Sequence, residues 1–297
     1  MGDAISLSHV TKAYRDFTLG DLSLNVPEGT VCGLVGENGA GKTTAIRLLM
    51  GATRPDAGEI RVLGRAPDSP DFRLAKDDIG IVLEDAYFPE VMTAAQVGRV
   101  LSGTYRNWEA RRFADFLQRF DLPDKKPFKE YSRGMRMKLA ISAALSHAAK
   151  LLVLDEATAG LDPIVRDETV ELFREFASDE GKTVLISSHI VSDLEKLCDS
   201  VAFLHKGTLL FHEEKDAMLD RYGIFVGTAE QADSLWPEAV IGREDSAYGG
   251  VKALIRREAA PSTLTLTRPT LEEVILYTVK SAKTRTPQAV GKGEDGQ

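Results

Sequence analysis

Two hydrophobic periods alternate along the chain. Between residues 5 and 26 apolar and polar positions take turns, with Ile5 and Leu7 early and Leu22, Leu24 and Val26 late. A period of two turns one face of a pleated strand to a core and the other to water, so this stretch predicts half-buried antiparallel strands. Thr30 to Val35, Ile60 to Leu63, Ile79 to Leu83, Leu151 to Leu154 and Thr183 to Ser187 are short apolar runs that predict buried strands. Val201 to His205 and Thr208 to Phe211 predict a hairpin around Lys206-Gly207.

Helical patterns lie between these runs. Thr44 to Met50 offers Ala45, Ile46, Leu48 and Leu49 to a core. Phe113, Phe116, Leu117 and Phe120 share one helical face, Arg111, Arg112, Asp115 and Arg119 fall on the other, and Leu122-Pro123-Asp124 ends the pattern. Met137, Ile141, Ala144 and Leu145 mark a further helix, and Val165, Thr169, Leu172, Phe173 and Phe176 another. Strands alternating with helices predict an α/β fold with a mostly parallel sheet covered on both faces. Beyond about residue 215 the periods weaken. Residues 216–282, punctuated by Ala260-Pro261 and Arg268-Pro269, predict a small α+β unit, and the polar tail 283–297 is expected to be disordered.

Composition narrows the function classes. The 297 residues are 43% hydrophobic, enough for one large domain and a smaller one, and the net charge of -8 opposes general binding to nucleic acid. Cys32 and Cys198 stand far apart and form no Cys-x-x-Cys pair, which argues for two buried thiols and against a disulfide framework or thiolate metal site. No apolar run approaches the roughly 20 residues of a membrane-spanning helix, and the first residues carry no basic-then-apolar signal. A cytoplasmic chain is expected, with any membrane contact made through a partner.

Gly36-Glu37-Asn38-Gly39-Ala40-Gly41-Lys42-Thr43 matches G-x-x-x-x-G-K-[ST] in full, between an apolar strand and a helix. Glycines let successive backbone N–H groups turn around an anion, and the helix that follows adds its positive end. Lys42 is then placed to bridge the β- and γ-phosphates of a nucleotide and the Thr43 hydroxyl to ligate magnesium. Leu151-Leu152-Val153-Leu154-Asp155-Glu156 sets two carboxylates at the end of a buried strand, where ligands of open α/β sheets gather. Asp155 can hold the magnesium, and Glu156 can orient and deprotonate an attacking water. His189 follows the strand Thr183 to Ser187, where its imidazole can hydrogen-bond a γ-phosphate.

The ordered set resembles the ATP-binding subunit of ABC transporters over about residues 4 to 215. After the phosphate loop, Tyr131-Ser132-Arg133-Gly134-Met135-Arg136 is similar to the signature usually written L-S-G-G-Q. Ala159-Gly160-Leu161-Asp162 is similar to the D-loop, His189 matches the switch histidine, and Tyr14 sits where the family has an adenine-stacking aromatic. The resemblance implies a P-loop NTPase (RecA-like) core in residues 1–215, with an antiparallel β subdomain and a helical signature subdomain over about 85–150. It implies an ATP contact set of Tyr14, Gly36, Asn38, Gly39, Ala40, Gly41, Lys42, Thr43 and Thr44, and magnesium on Thr43, Glu84 and Asp155. It also implies a head-to-tail sandwich in which Ser132, Arg133, Gly134 and Met135 of one cassette face ATP held by another, identical or paralogous, with Asp162 at the D-loop. Hydrolysis would energise transport through a separate integral membrane subunit, placing the chain on the inner face of the cell membrane.

Three positions depart from the pattern. Arg133 stands for the signature's first glycine, Met135 for its glutamine, and Glu84 for the glutamine that follows the strand Ile79 to Leu83. Arg133 is expected either to clamp ATP or to point to solvent. Glu84 is expected to ligate magnesium or to sense the membrane partner. Arg268-Pro269-Thr270-Leu271-Glu272-Glu273-Val274 resembles a late stretch of exporter-type (ABC-2-like) cassettes, which implies export of a lipid, peptide or drug. The segment Asp85 to Val100, with Tyr87, Phe88 and Pro89, is expected to receive a helix of the membrane subunit. A soluble cassette ATPase acting on ribosomes or DNA, and a regulatory ATPase, are the competing readings.

Overall fold

The computed structural model describes residues 2–84, 88–246 and 249–285. Two compact units divide between Glu214 and Lys215. In the first, the order is β1 (Asp3–Ala13), β2 (Thr18–Pro27), β3 (Val31–Val35), α1 (Lys42–Leu49), β4 (Ala57–Val62), α2 (Phe72–Lys76), β5 (Ile79–Val82), α3 (Ala94–Thr104), α4 (Ala110–Arg119), α5 (Arg133–Ala144), β6 (Leu151–Asp155), α6 (Pro163–Ser178), β7 (Thr183–Ser188), α7 (Val191–Leu197), β8 (Ser200–His205) and β9 (Thr208–Glu214). The second unit comprises α8 (Lys215–Arg221), β10 (Tyr222–Thr228), α9 (Ala229–Asp233), β11 (Val240–Asp245), β12 (Gly250–Arg256) and α10 (Leu271–Arg285).

The period-two stretch forms the antiparallel sheet β2-β1-β4. Its inward residues Ile5, Leu7, Leu22, Leu24 and Val26 are at most 3% exposed and share one core with Leu34, Ile46, Leu49 and Val153. The apolar runs form a six-stranded sheet, β5-β6-β7-β3-β8-β9, in which all neighbours but β8 and β9 are parallel. All five residues of β3 and of β6 are buried, as expected of strands covered on both faces. Each such Leu or Val contributes about 1.5–3 kcal/mol. The α/β fold with a parallel-dominated sheet and a separate antiparallel sheet is therefore the one the patterns predict.

Boundaries moved where local chemistry overrides the hydrophobic count. β4 begins at Ala57, because Ala57 and Glu59 pair with β1 although both precede the apolar run. α4 begins at Ala110, a turn before the first phenylalanine of its stripe. α3 has weak apolar periodicity but a reciprocal cap: the Thr93 hydroxyl accepts from the Gln96 N–H, and the Gln96 side chain accepts from the Thr93 N–H. Phe88 is half-buried and meets Phe128 edge-on, with ring centroids 5.7 Å apart. Asp85, Ala86 and Tyr87 lie outside the described residues.

His147 anchors the helical region to the main sheet. Its ring stacks on Tyr105 at 4.1 Å, and its Nε2 donates to the Ile79 carbonyl at 3.1 Å. Burial holds its pKa below the usual imidazole value. A depressed histidine pKa means that the unfolded chain binds the proton more readily. Its contribution is therefore complete above the unfolded pKa of about 6.5 and is lost as pH falls through and below it. His147→Phe keeps the stacked ring but cannot take a proton. Urea unfolding between pH 7 and pH 5 is expected to show a shallower acid loss for the variant, by at most about 1.4 kcal/mol per pH unit. A residual slope comes from His212, whose pKa burial also lowers. An unchanged slope would remove His147 from the account.

In the second unit, β10-β12-β11 form an antiparallel sheet around Phe225, Leu235, Val251, Ala253 and Ile255. The stretch Arg268 to Val274 begins α10. The Thr270 hydroxyl accepts from the Glu273 N–H at 3.2 Å, Glu273 Oε2 accepts from the Thr270 N–H at 2.8 Å, and Lys252 lies 2.6 Å from the other Glu273 oxygen. Its T-x-x-E spacing is thus a capping box. Residues 286–297, most of the expected tail, lie outside the described residues.

Candidate functional site

The strand order decides where the chemistry meets. β5, β6, β7 and β3 are consecutive parallel neighbours, so their carboxyl ends lie along one edge. The residues just past those ends are Glu84 after β5, Glu156 after β6, His189 after β7, and the loop Gly36 to Gly41 after β3. Four segments up to 153 residues apart in sequence therefore converge because a parallel sheet aligns its strands' ends.

The loop is shaped by what its glycines cannot carry. A Cβ on Gly36 would lie 2.4 Å from the Leu204 carbonyl oxygen of β8, so the chain passes there with no room for a side chain. Gly41 caps α1 at φ 109°, and a Cβ on it would meet the Phe17 ring at 2.8 Å. α1 follows directly, with Lys42 and Thr43 in its first turn.

Glu156 is the centre of the cleft. It has φ of 51°, a left-handed conformation rare outside glycine. Its N–H is held by both the backbone oxygen and the hydroxyl of Ser187, at 3.1 and 3.2 Å. This strained turn, stabilised by β7, aims the carboxylate into the cleft. The side chain is 7% exposed. Oε1 lies 3.2 Å from Lys42 Nζ, and Oε2 accepts from His189 Nδ1 at 2.7 Å. The carboxylate accepts, so Nδ1 carries a proton. Lys42 aims its ammonium hydrogens at the Gly36 and Glu37 carbonyls, at 2.7 and 3.4 Å. Its contact with Glu156 is an ion pair without hydrogen-bond alignment, which leaves Oε1 with no hydrogen bond. Ammonium, carboxylate and imidazole thus meet in a site with glycine backbone on one wall, with one carboxylate oxygen left without a hydrogen bond. That arrangement fits a triphosphate: the ammonium can pass to an anion, and the freed carboxylate can then accept a proton from water.

The cleft is about 900 Å³ and is lined by Asn38, Gly39, Ala40, Gly41, Lys42, Thr43, Thr44, Glu84, Arg133, Glu156 and His189 among the sequence candidates. Asp155 lies beneath it, 1% exposed, its Oδ1 accepting from the Ser187 hydroxyl at 2.6 Å. Tyr14 is 44% exposed and off the cleft wall, whereas Asp16 and Phe17 line it. Phe17 carried no sequence signal of its own beyond being the other aromatic in the β1–β2 turn. Ser132 caps α5, its hydroxyl accepting from the Met135 N–H at 3.3 Å. Ser132, Gly134 and Met135 are not on the wall of this cleft, although Arg133 between them is. Asp162 caps α6, accepting from the Val165 N–H at 3.1 Å with Pro163 in the first turn, and is also outside the cleft wall. Among the described residues no cluster of three or more His, Cys, Asp or Glu forms a metal site by itself.

A phosphate loop on a parallel sheet, faced by a strand-end carboxylate and a histidine, defines a nucleotide-binding α/β protein of the cassette type. Residues 19–159 match the family model described as ABC transporter. The chain is 30% identical to an uncharacterized ABC transporter ATP-binding protein, YhcH of Bacillus subtilis, over 94% of this chain and 92% of that one. It is 34% identical to a lantibiotic transport ATP-binding protein, SrtF of Streptococcus pyogenes, over 71% of this chain and 91% of that one. The fold is similar to a solved ATP-binding cassette in a dimeric post-hydrolysis state bound to ADP and Pi, with a TM-score of 0.64 and 24% identity, covering 71% of this chain and 98% of that one. This chain belongs to the ABC transporter family, as one of its ATP-binding subunits.

Proposed function

We propose that the chain is the ATP-hydrolysing motor of an exporter, working on a separate membrane subunit through ATP-driven pairing of two cassettes. The contact of Lys42, Glu156 and His189 at the mouth of the phosphate loop is the observation that carries this reading. Magnesium–ATP supplies the electrophilic γ-phosphorus and a cation that offsets phosphate charge. Backbone N–H groups of Gly39 to Thr44 hold the phosphates, and Lys42 bridges them. Thr43, Glu84 and Asp155 are the residues that would hold the cation, Asp155 from beneath and therefore through water. Glu156 takes the proton of the attacking water, and His189, already donating through Nδ1, keeps that carboxylate oriented.

The relative named for lantibiotic transport supports a lipid, peptide or drug as the cargo. The dimeric solved cassette supports the sandwich in which Ser132, Gly134 and Met135 face the second chain's nucleotide, with Asp162 near the seam. No described helix is long and apolar enough to cross a membrane. Extraction in mild detergent followed by pull-down on the tagged full-length chain is expected to bring down a polytopic membrane protein, and ATPase activity is expected to rise when that protein is present. Capture of ribosomes or DNA without any membrane protein would overturn the transport reading while leaving the ATPase intact.

A further inference from the structure

The charges around the cleft do not balance. Asp16, Glu37, Glu84 and Glu156 line it against Lys42 and Arg133. Among the described residues, four carboxylates thus face two permanent cations in a site that must admit a polyanion. The two inner carboxylates are each matched. Glu156 has Lys42, and Glu84 has Arg133, whose Nη2 lies 3.5 Å from Glu84 Oε1. The second pair is assembled from distant parts of the sequence, β5's end and α5's first residue. The D-loop gives it a seat: Gly160 has φ of 76°, and a Cβ there would lie 3.3 Å from Arg133 Nε, so the guanidinium rests on a bare glycine backbone. Both partners are half or more exposed, at 62% for Arg133 and 50% for Glu84. An exposed pair of this kind contributes little to stability and exchanges partners readily.

We infer that Arg133 serves the cleft of its own chain as the counter-ion of Glu84, and that a divalent cation must displace it from Glu84. This rests on the nucleotide reading above and adds a step to it. The arrival of nucleotide and metal becomes an exchange of two ion pairs: Lys42 leaves Glu156 for phosphate, and Arg133 gives up Glu84 to the metal. The released guanidinium is the first residue of the helix that Ser132 caps, so metal occupancy at Glu84 sets whether the signature segment is tied to its own cleft or free of it.

The test is metal affinity in the nucleotide-loaded chain. Free Mn2+ is followed by electron paramagnetic resonance in the full-length protein saturated with adenylyl imidodiphosphate, so that no turnover is involved. Arg133→Ala is expected to lower the half-saturating Mn2+ concentration about two- to fivefold, the range open to an exposed ion pair. Arg133→Lys keeps the charge and is expected to stay near the parent. In a Glu84→Gln background the effect of Arg133→Ala is expected to vanish. An unshifted Mn2+ titration for Arg133→Ala, or a shift that persists undiminished in Glu84→Gln, would overturn the inference. The nucleotide reading fails differently: adenylyl imidodiphosphate would not bind to the parent even with metal present, and that result removes both.

Discussion

Glu156→Gln is expected to stop turnover and keep ATP. The substitution is close to isosteric and leaves an amide where a proton must be accepted. General-base contributions are typically about 10²- to 10⁴-fold, and a loss in that range is expected in single-turnover hydrolysis. The geometry adds a second expectation. Glu156 now holds Lys42 at 3.2 Å in a site where its own side chain is 7% exposed. ATP must therefore take the ammonium away from a buried carboxylate, and the neutral amide no longer competes for it. ATP affinity in the variant should match or exceed the parent's, by calorimetric titration with magnesium present, and the ATP-loaded chain should accumulate as a dimer on size exclusion. Hydrolysis at the parent rate would move the base elsewhere. Weakened ATP binding would mean that Lys42 and Glu156 do not compete.

Lys42→Ala is expected to fail in two separable ways. The first is affinity. A charged donor to phosphate in a sheltered site contributes about 1.5–3 kcal/mol, so ATP should bind on the order of 10- to 100-fold more weakly. The second is stability of the empty protein. Removing the ammonium leaves Glu156 buried with only His189 beside it, and stripping one partner from a buried pair costs about 3–5 kcal/mol. The lower end applies because His189 still engages Oε2. Lys42→Ala/Glu156→Gln removes both charges and should recover most of that stability while remaining unable to hold ATP tightly. Urea unfolding of the single and double variants reads the coupling directly. Equal stabilities would show that the ion pair has no part in holding the empty site.

Much of this site was legible before any coordinates, because its parts are local. The phosphate loop declares itself through glycine spacing and a strand–turn–helix context, and both are properties of a dozen consecutive residues. Glu156 was legible for the same reason, as the polar end of a run too apolar to lie anywhere but inside the sheet. The amphipathic face of Phe113, Phe116, Leu117 and Phe120 was legible as a helix, although its first turn was not, since two arginines set Ala110 off from that face. α3 falls inside the helical region expected over about 85–150, but its start is written in a cap rather than in periodicity. Phe17 was missed because lining a cleft leaves no trace in local spacing, whereas Tyr14 drew notice by its place in a resembling pattern.

By itself, then, the sequence determined the element types, the apolar strands, the anion-binding turn and the presence of a carboxylate and a histidine at strand ends. Only the tertiary structure decided the pairings: Lys42 with Glu156, His189 with the same carboxylate, Arg133 with Glu84 across Gly160, and Asp155 beneath the cleft rather than on its wall. The physical reason is that periodicity and turn chemistry act over a few residues, whereas an ion pair depends on which strands lie side by side. That neighbour order, β5-β6-β7-β3, is set by packing over the whole sheet and is written in no single stretch of the chain.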